Sequence, residues 1–438
     1  MADPTAILVA ARDEEETIAA TVAALKDQFP SAEVIVADDG SRDGTAAVAE
    51  RAGARLVRLP RRGKGQALTM AEREAPPGGL LLADADLVGD LRPLSDHDAD
   101  LTIAVLARRQ GGGVGIAKEA ARRLIGACSS YTAREPLSGQ RALSATAREQ
   151  CFPLAPGFGC EVRMTIDAAR SGLRIVEIEL PLSHEATGRD LAGFAHRGRQ
   201  LLDVLLACGP LGVNHRGLRL PLFGWVLGVR RDPAVSAVAA LGLVDDVWSG
   251  PERGFRAHLG SGRTTGVLKL VGIPLVGLIA TRKISGALVV GLAANFLNQL
   301  DTRPGRALKA YLLGAAALRA PVGSAVLLLP YDLREKAMLG DAGSNALGAM
   351  LGLSSVSRLT GKSRWLAIGA LAGLTLLGER RSLGELIERA PGLRALDRLG
   401  REQLLLLRST SSSPAASSRP SGRGSQRRRS AACSRRAG

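Results

Sequence analysis

The sequence has few aromatic residues and few cysteines. Aromatic side chains make up 3% of the 438 residues, and the five cysteines are scattered without a CxxC pair. This spacing excludes a thiolate zinc site and a disulfide framework, and it indicates a reducing compartment. The hydrophobic residues, 46% of the chain, are mainly Ala, Leu and Val, accompanied by 52 glycines. That composition also excludes collagen and a coiled coil.

A secretory signal is also missing. The apolar run at residues 6–11 is too short for one and continues directly into the charged residues 12–16. We therefore expect the N-terminal half to remain in the cytoplasm.

Positive charge is concentrated at the C-terminus. The net charge is +16, and residues 408–438 contain eight arginines and no acid. A Ser/Pro/Gly/Arg segment cannot bury enough apolar surface to fold, so residues 401–438 are predicted to be a disordered tail. Without interleaved aromatic residues the tail does not favour nucleic acid as a partner. The rest of the chain divides by pattern into domains at 1–205 and 206–400.

Strand-like and helix-like segments alternate in the first half. Apolar runs at 6–11, 33–37, 55–59 and 79–83 predict strands, and the segments at 14–28, 45–52 and 64–74 predict helices. This alternation is typical of an α/β fold with a mainly parallel sheet and helices on both faces. Ligands of such sheets bind at the carboxyl ends of the strands.

Carboxylates stand at those predicted strand ends. Asp13 follows the first strand, Asp38 and Asp39 end the second, and Asp84 and Asp86 end the fourth. Carboxylates gathered at one edge repel one another unless a cation lies between them, and a hard divalent cation shared with phosphates would do this. Lys64, placed between Gly63 and Gly65, adds a cation where the backbone can approach a ligand. The set predicts a pyrophosphate–metal site.

These motifs resemble glycosyltransferase family 2, over about residues 4–205. The resemblance implies a GT-A fold that binds a nucleoside-diphosphate sugar, with Asp13 and Asp39 at the base and ribose. It implies Mg²⁺ or Mn²⁺ held by Asp86, with His184 as a further ligand. The candidate donor-binding residues are Asp13, Asp38, Asp39, Lys64 and Asp84.

The acceptor decides whether a general base is needed. A hydroxyl acceptor requires a carboxylate to take its proton, for which Glu161 and Glu135 are both candidates. A lipid phosphate is already anionic and requires none. The segments at 136–141 and 157–161 resemble the acceptor side of the polyprenyl-phosphate and phosphoglycerate branches of the family.

From about residue 201 the pattern becomes a series of apolar, Gly- and Ala-rich runs. Most are shorter than the roughly 20 residues that span a bilayer, but their small residues suit packed membrane helices. Acidic residues interrupt them at Asp245, Asp246, Asp301 and Asp341. We expect an all-α, multi-helix membrane domain with these carboxylates at its cytoplasmic face, because acids beside membrane helices are usually functional.

The acidic clusters resemble the polyprenyl-phosphate N-acetylhexosamine-1-phosphate transferases, a family that includes phospho-N-acetylmuramoyl-pentapeptide transferase. The resemblance covers about residues 201–400 and implies Mg²⁺ on Asp301 and Asp341, with Asp245 and Asp246 near a lipid phosphate. The chain departs from that family after Asp301, where Thr-Arg-Pro-Gly follows, and it lacks the family's His-rich loop.

The sequence thus predicts a metal-dependent, membrane-bound glycosyltransferase. Its expected partners are a nucleoside-diphosphate sugar, polyprenyl phosphate or another lipid acceptor, and the membrane, with no nucleic acid. Its expected location is a bacterial-type inner membrane, multi-pass, with a cytoplasmic catalytic domain. The second half either catalyses sugar-1-phosphate transfer or serves as an inactive anchor. The remaining alternative is a non-catalytic membrane protein in which both halves are degenerate.

Overall fold

A computed structural model describes residues 3–86, 89–106, 116–182, 191–228, 232–248 and 264–401. All of these residues belong to one compact unit. His184 and most of the C-terminal tail lie outside the described residues, so the predictions made for them stay predictions.

The first half contains a mainly parallel sheet, as predicted. Its strands are β1 (Ala6–Ala11), β2 (Glu33–Asp38), β3 (Arg55–Arg58), β4 (Leu80–Asp84), β5 (Leu101–Leu106), β6 (Arg141–Leu143) and β7 (Ile175–Leu180). They lie in the order β3-β2-β1-β4-β6-β5-β7. In the described part of the chain, β6 is the strand that runs antiparallel to its neighbours. The first four strands match the predicted ones to within one residue.

Helices cover both faces of this sheet. They are α1 (Ile18–Gln28), α2 (Thr45–Arg51), α3 (Lys64–Glu72), α4 (Ile116–Ser129), α5 (Ala145–Cys151), α6 (Cys160–Arg170) and α7 (Leu191–Cys208). Alternate residues of β1 enter opposite cores, because successive strand side chains point to opposite faces. Ile7 and Val9 pack with Val22 of α1, whereas Leu8 packs with Leu68 of α3 and Met164 of α6.

A short hairpin leads from the sheet to a helical half. It consists of β8 (Leu211–Val213) and β9 (Arg219–Pro221). The helices that follow are α8 (Gly224–Gly228), α9 (Pro233–Trp248), α10 (Thr264–Thr281), α11 (Ile284–Leu300), α12 (Arg306–Leu318), α13 (Gly323–Leu333), α14 (Gly340–Arg358), α15 (Gly361–Arg380), α16 (Leu383–Arg389) and α17 (Pro391–Arg398). The proposed domain boundary at 205 falls inside α7.

Small residues let the central helices of this half approach closely. A Cβ atom on Gly348 would lie 2.3 Å from the Cα atom of Ala294, and one on Gly352 would lie 2.6 Å from that of Val290. Residues four apart share one face of a helix, so α11 and α14 pack backbone to backbone along two turns. This contact holds Asp301 and Asp341, at the ends of these helices, in one region.

The expectation of membrane-crossing helices is not met by the described residues. None of their helices is both long enough and apolar enough to cross a bilayer. The longest, α15, has 20 residues but carries Lys362, Arg364, Glu379 and Arg380.

Candidate functional site

The predicted carboxylates meet at the carboxyl edge of the sheet. β1 pairs with β2 on one side, where Ala11 is opposite Asp38, and with β4 on the other, where Ala10 is opposite Asp84. Asp38 is buried and accepts hydrogen bonds from the backbone N–H of Ser41 (3.0 Å) and from its hydroxyl. Asp38 thereby fixes the turn that follows β2, and the parallel register places this turn and the end of β4 at the same edge of the sheet, on either side of β1.

Asp39 holds the loop that leads into α3. Its Oδ1 atom accepts from the backbone N–H of Arg62 at 2.5 Å, and its Oδ2 atom accepts from that of Gly63 at 2.9 Å. Burial raises the pKa of Asp39 above its usual range, whereas these two hydrogen bonds oppose the rise. Asp39 therefore couples the end of β2 to the Gly63–Lys64 turn.

The segment after β1 adds further acids to this edge. Asp13 has a left-handed backbone with φ of +56°, and its carboxylate accepts from the backbone N–H of Arg42 at 2.8 Å. Burial raises the pKa of Glu14, a hydrogen bond from Thr17 opposes the rise, and the charges of Asp86 and Asp84 increase it. Negative charge therefore accumulates where β1 and β4 end.

Lys64 connects three parts of the site. Its ammonium lies 2.6 Å from Oδ1 of Asp84 and 2.8 Å from Oε1 of Glu161 at the start of α6. Gln140 donates to the other oxygen of Asp84 at 2.8 Å. Burial lowers the pKa of Lys64, but Asp84 and Glu161 raise it well above its usual value, so the lysine is charged.

Gly139 and Gly65 make room for this arrangement. A Cβ atom on Gly139 would lie 2.5 Å from both carboxylate oxygens of Asp84. One on Gly65 would lie 1.8 Å from the carbonyl oxygen of Ala155. The absence of side chains at these two positions is what allows Lys64 and Asp84 to meet.

The donor atoms at this edge fit a hard divalent cation. Glu14, Asp84 and Asp86 offer carboxylate oxygens, which Mg²⁺ and Mn²⁺ prefer, and their mutual repulsion favours a cation between them. Asp84 already contacts Lys64 and Gln140. Within the described ranges no group of three or more His, Cys, Asp and Glu side chains could hold a metal ion. Further ligands would have to come from a bound diphosphate or from residues outside the described ranges, such as His184.

The two candidate bases have different surroundings. Glu161 is buried between Lys64 and the thiol of Cys160, which donates to it at 3.0 Å. Glu135 forms an ion pair with Lys118 beside a cavity of about 360 Å³ that Arg122 also lines. Both roles stay predictions.

The acids of the helical half also meet. Lys269 of α10 contacts Oδ2 of Asp245 at 2.6 Å and also pairs with Asp341. Asp246 accepts the backbone N–H groups of Asp341 (2.8 Å) and Ala342 (2.9 Å) at the start of α14. This arrangement places an ammonium between carboxylates that were expected to surround a metal or a phosphate.

The helical cluster contains more acid than Lys269 can neutralise. Burial raises the pKa of Asp246 to about 7, with Asp341 adding to the rise. Burial also raises the pKa of Asp341, to about 6, and it raises that of Asp301 well above its usual value, together with the charges of Asp332 and Asp341. Asn298 donates to Asp341 at 2.9 Å.

Sequence reasoning missed three residues of these sites. Gln140 belongs to an acceptor-side motif and Glu14 to the acidic run that ends the first predicted strand, but neither is singled out as a site residue by its sequence context. Lys269 carried a usable signal, because a lone lysine within the apolar segment 267–280 requires a buried acid as its partner.

We predict that Lys64→Met destabilises the fold, because it leaves Asp84 and Glu161 without their shared counter-ion. Removing one partner of a largely buried ion pair costs about 3 kcal/mol in the free energy of unfolding. The double variant Lys64→Met/Glu161→Gln should recover part of this loss. Urea unfolding measures the free energy of unfolding of the single and the double variant. The control is Lys26→Met, on the exposed face of α1. Equal stability of Lys64→Met and the wild type would contradict the prediction.

Comparison with known proteins identifies the first part of the chain. Residues 6–119 match the family described as Glycosyl transferase family 2. Glycosyltransferase AglJ of Haloferax volcanii is 30% identical over 204 residues, which are 43% of this chain and 66% of that protein, just under two thirds. Glucosyl-3-phosphoglycerate synthase of Mycolicibacterium paratuberculosis is 29% identical over 238 residues, 46% of this chain and 72% of that protein.

One solved structure accompanies these sequence matches. The glucosyl-3-phosphoglycerate synthase of Mycobacterium tuberculosis in complex with Mn²⁺, uridine diphosphate and phosphoglyceric acid is 27% identical, covers 48% of this chain and 82% of that one, and gives a TM-score of 0.41. The match to the family model and the mainly parallel sheet both agree with the resemblance of residues 4–205 to glycosyltransferase family 2. Residues 6–119 therefore correspond to a glycosyltransferase family 2 domain.

Proposed function

We propose that this chain transfers a sugar from a nucleoside-diphosphate sugar to a lipid phosphate or another cell-envelope acceptor. The observation that carries the proposal is the meeting of Asp84 and Asp86 with the Asp38–Asp39 turn at one edge of the sheet, beside the charged Lys64. Acids flanking a cation, at the carboxyl ends of parallel strands, suit a nucleoside diphosphate.

The roles of the donor-site residues follow from their positions. Asp13 and Asp39 lie at the ends of neighbouring strands and would contact the base and ribose. Asp38 fixes the turn between them. Lys64, held by Asp84, would place positive charge near the diphosphate, where charge grows as the sugar departs.

A divalent cation, Mg²⁺ or Mn²⁺, completes the proposed site. Asp86 would hold it, with His184 as the further ligand that the sequence suggests, and it would neutralise charge on the diphosphate leaving group. The residues of the chain bind the donor, orient its sugar and exclude water from the reacting carbon.

The acceptor is proposed to carry a phosphate. The cavity beside Glu135 is lined by Lys118, Arg122 and Arg134. Each of these pairs with a glutamate, and an anion in the cavity would compete for their N–H groups. One relative is named as a glucosyl-3-phosphoglycerate synthase, and this name specifies a phosphorylated product. A lipid phosphate also carries a phosphate group. A hydroxyl acceptor would give its proton to Glu135 or Glu161.

We further propose that the helical half contacts a lipid surface, and that the reaction occurs on the cytoplasmic side of the cell membrane. Large apolar side chains of α10, α11 and α15 face outward: Ile279, Ile284 and Leu366 are 69%, 72% and 76% exposed. Exposed apolar surface on this scale is typical of an interaction surface. Such a surface would bring the donor site close to a lipid acceptor.

A second candidate function is sugar-1-phosphate transfer to polyprenyl phosphate by the helical half. The cluster of Asp245, Asp246, Asp301 and Asp341 favours it, because these acids exceed the charge of Lys269. The alternative role of this half is that of an inactive anchor.

We predict that Asp86→Asn in the full-length protein lowers glycosyl transfer by at least about a hundredfold, because an electrostatic contact to the leaving group is lost. Asp341→Asn should leave the same activity within about twofold. Transfer from radiolabelled nucleoside-diphosphate sugars to extracted membrane lipid, with Mg²⁺ or Mn²⁺, measures both variants.

Loss of transfer in Asp341→Asn, with unchanged expression and lipid binding, would assign the reaction to the helical half. Full activity of Asp86→Asn would contradict the proposed donor site.

We predict that the full-length protein floats with anionic lipid vesicles, and that Ile279→Glu/Ile284→Glu reduces the bound fraction several-fold, because two charges would have to enter lipid. The control is Leu202→Glu, which alters an exposed leucine of α7. Equal flotation of the double variant and the wild type would contradict lipid contact by this surface.

A further inference from the structure

The donor-site loop is joined to the helical half by a buried ion pair. Nη1 of Arg62 lies 3.0 Å from Oε2 of Glu335, a residue that follows α13. The two side chains are 6% and 2% exposed. Arg216, between β8 and β9, approaches the other oxygen of Glu335 at 2.9 Å. Glu335 is thus shared by arginines from both halves of the chain.

The backbone of Glu335 is strained. Its φ is +52°, in the left-handed region that helix ends usually assign to glycine. A non-glycine residue persists there only when its surroundings hold it, and such positions are often functional. A glycine at position 335 would adopt this backbone conformation easily, but it would lack the carboxylate that contacts Arg62. The strained position therefore places a carboxylate against the donor loop.

Arg62 transmits this contact to the donor site. Its backbone N–H donates to Oδ1 of Asp39 at 2.5 Å, while its side chain reaches Glu335. The next two residues are Gly63, which also donates to Asp39, and Lys64, which pairs with Asp84. Displacement of Arg62 would therefore move groups on both sides of the proposed nucleotide pocket.

We infer that Glu335 is a positioning residue for nucleotide binding, through which the helical half sets the conformation of the loop at residues 61–63. This inference rests on the proposed function, because it takes the site of Asp39 and Lys64 to be the donor site. The helical half would then hold the loop of the nucleotide site in place, in addition to its proposed contact with lipid.

The variants are Glu335→Gln, which keeps size and removes charge, and Arg62→Met, which keeps the backbone N–H that Asp39 accepts. The control is Arg73→Met, since Arg73 also crosses between the halves, donating to the carbonyl oxygen of Gly217 at 2.9 Å, without touching Asp39. Calorimetric titration of each full-length protein with UDP and with GDP, in Mn²⁺, gives the dissociation constants.

We expect Glu335→Gln and Arg62→Met each to weaken nucleotide binding by about tenfold, a typical size for coupling between sites. The loss in the double variant should be smaller than the sum of the two single losses, because both changes remove the contact between Arg62 and Glu335. In both single variants, KM for the donor should rise by a larger factor than kcat falls. Arg73→Met should bind the nucleotides with the affinity of the wild type.

Wild-type affinity in either single variant, or equal weakening in Arg73→Met, would overturn the inference. If Glu335→Gln does not fold, Arg62→Met decides, since it leaves Glu335 paired with Arg216. Failure of the wild type to bind either nucleotide would instead contradict the proposed function.

Discussion

The contact of Lys64 with Asp84 and Glu161 is the interaction on which the donor site depends. It joins the first residue of α3, the last residue of β4 and the start of α6 through one largely buried ammonium. Two carboxylates this close would repel each other without it, and Gly139 leaves the space that the contact needs. The fold therefore positions Asp84 by charge, and the chain continues past the end of β4 to Asp86. The positions of the side chains in this site therefore depend on the attraction between Lys64 and the two carboxylates as well as on the sheet.

The same principle recurs in the helical half. Lys269 lies between Asp245 and Asp341, and the close packing of α11 on α14 brings Asp301 into the same region. Acids outnumber the lysine there, and burial, to which neighbouring carboxylates add, raises the pKa values of Asp246 and Asp341. Each half thus has one cluster of carboxylates organised around one lysine. The chain can be understood as two charged sites, linked through the ion pair of Arg62 and Glu335.

The sequence predicted the local order of the first half well. Apolar runs and helical spacing identify β1 to β4 and α1 to α3, because each run is long enough to be buried on both faces of a parallel sheet. The strand-end acids were found for the same reason, since parallel strands align their carboxyl ends. In the helical half, the apolar runs correctly predicted helices. The further prediction that these helices cross a bilayer is not met, because no helix of the described residues is long and apolar enough. Long-range partners escaped prediction: nothing near Arg62 in the sequence points to Glu335, more than 270 residues away.

The central claim is that the acidic edge of the sheet binds a nucleoside diphosphate together with a divalent cation. The most direct measurement is equilibrium binding of UDP and of GDP to the full-length protein, first with Mn²⁺ and then with excess EDTA. The account predicts that at least one nucleotide binds in Mn²⁺ and that EDTA weakens this binding by tenfold or more, because the diphosphate would then face uncompensated carboxylates. Binding that EDTA does not change, or no binding of either nucleotide, would contradict it.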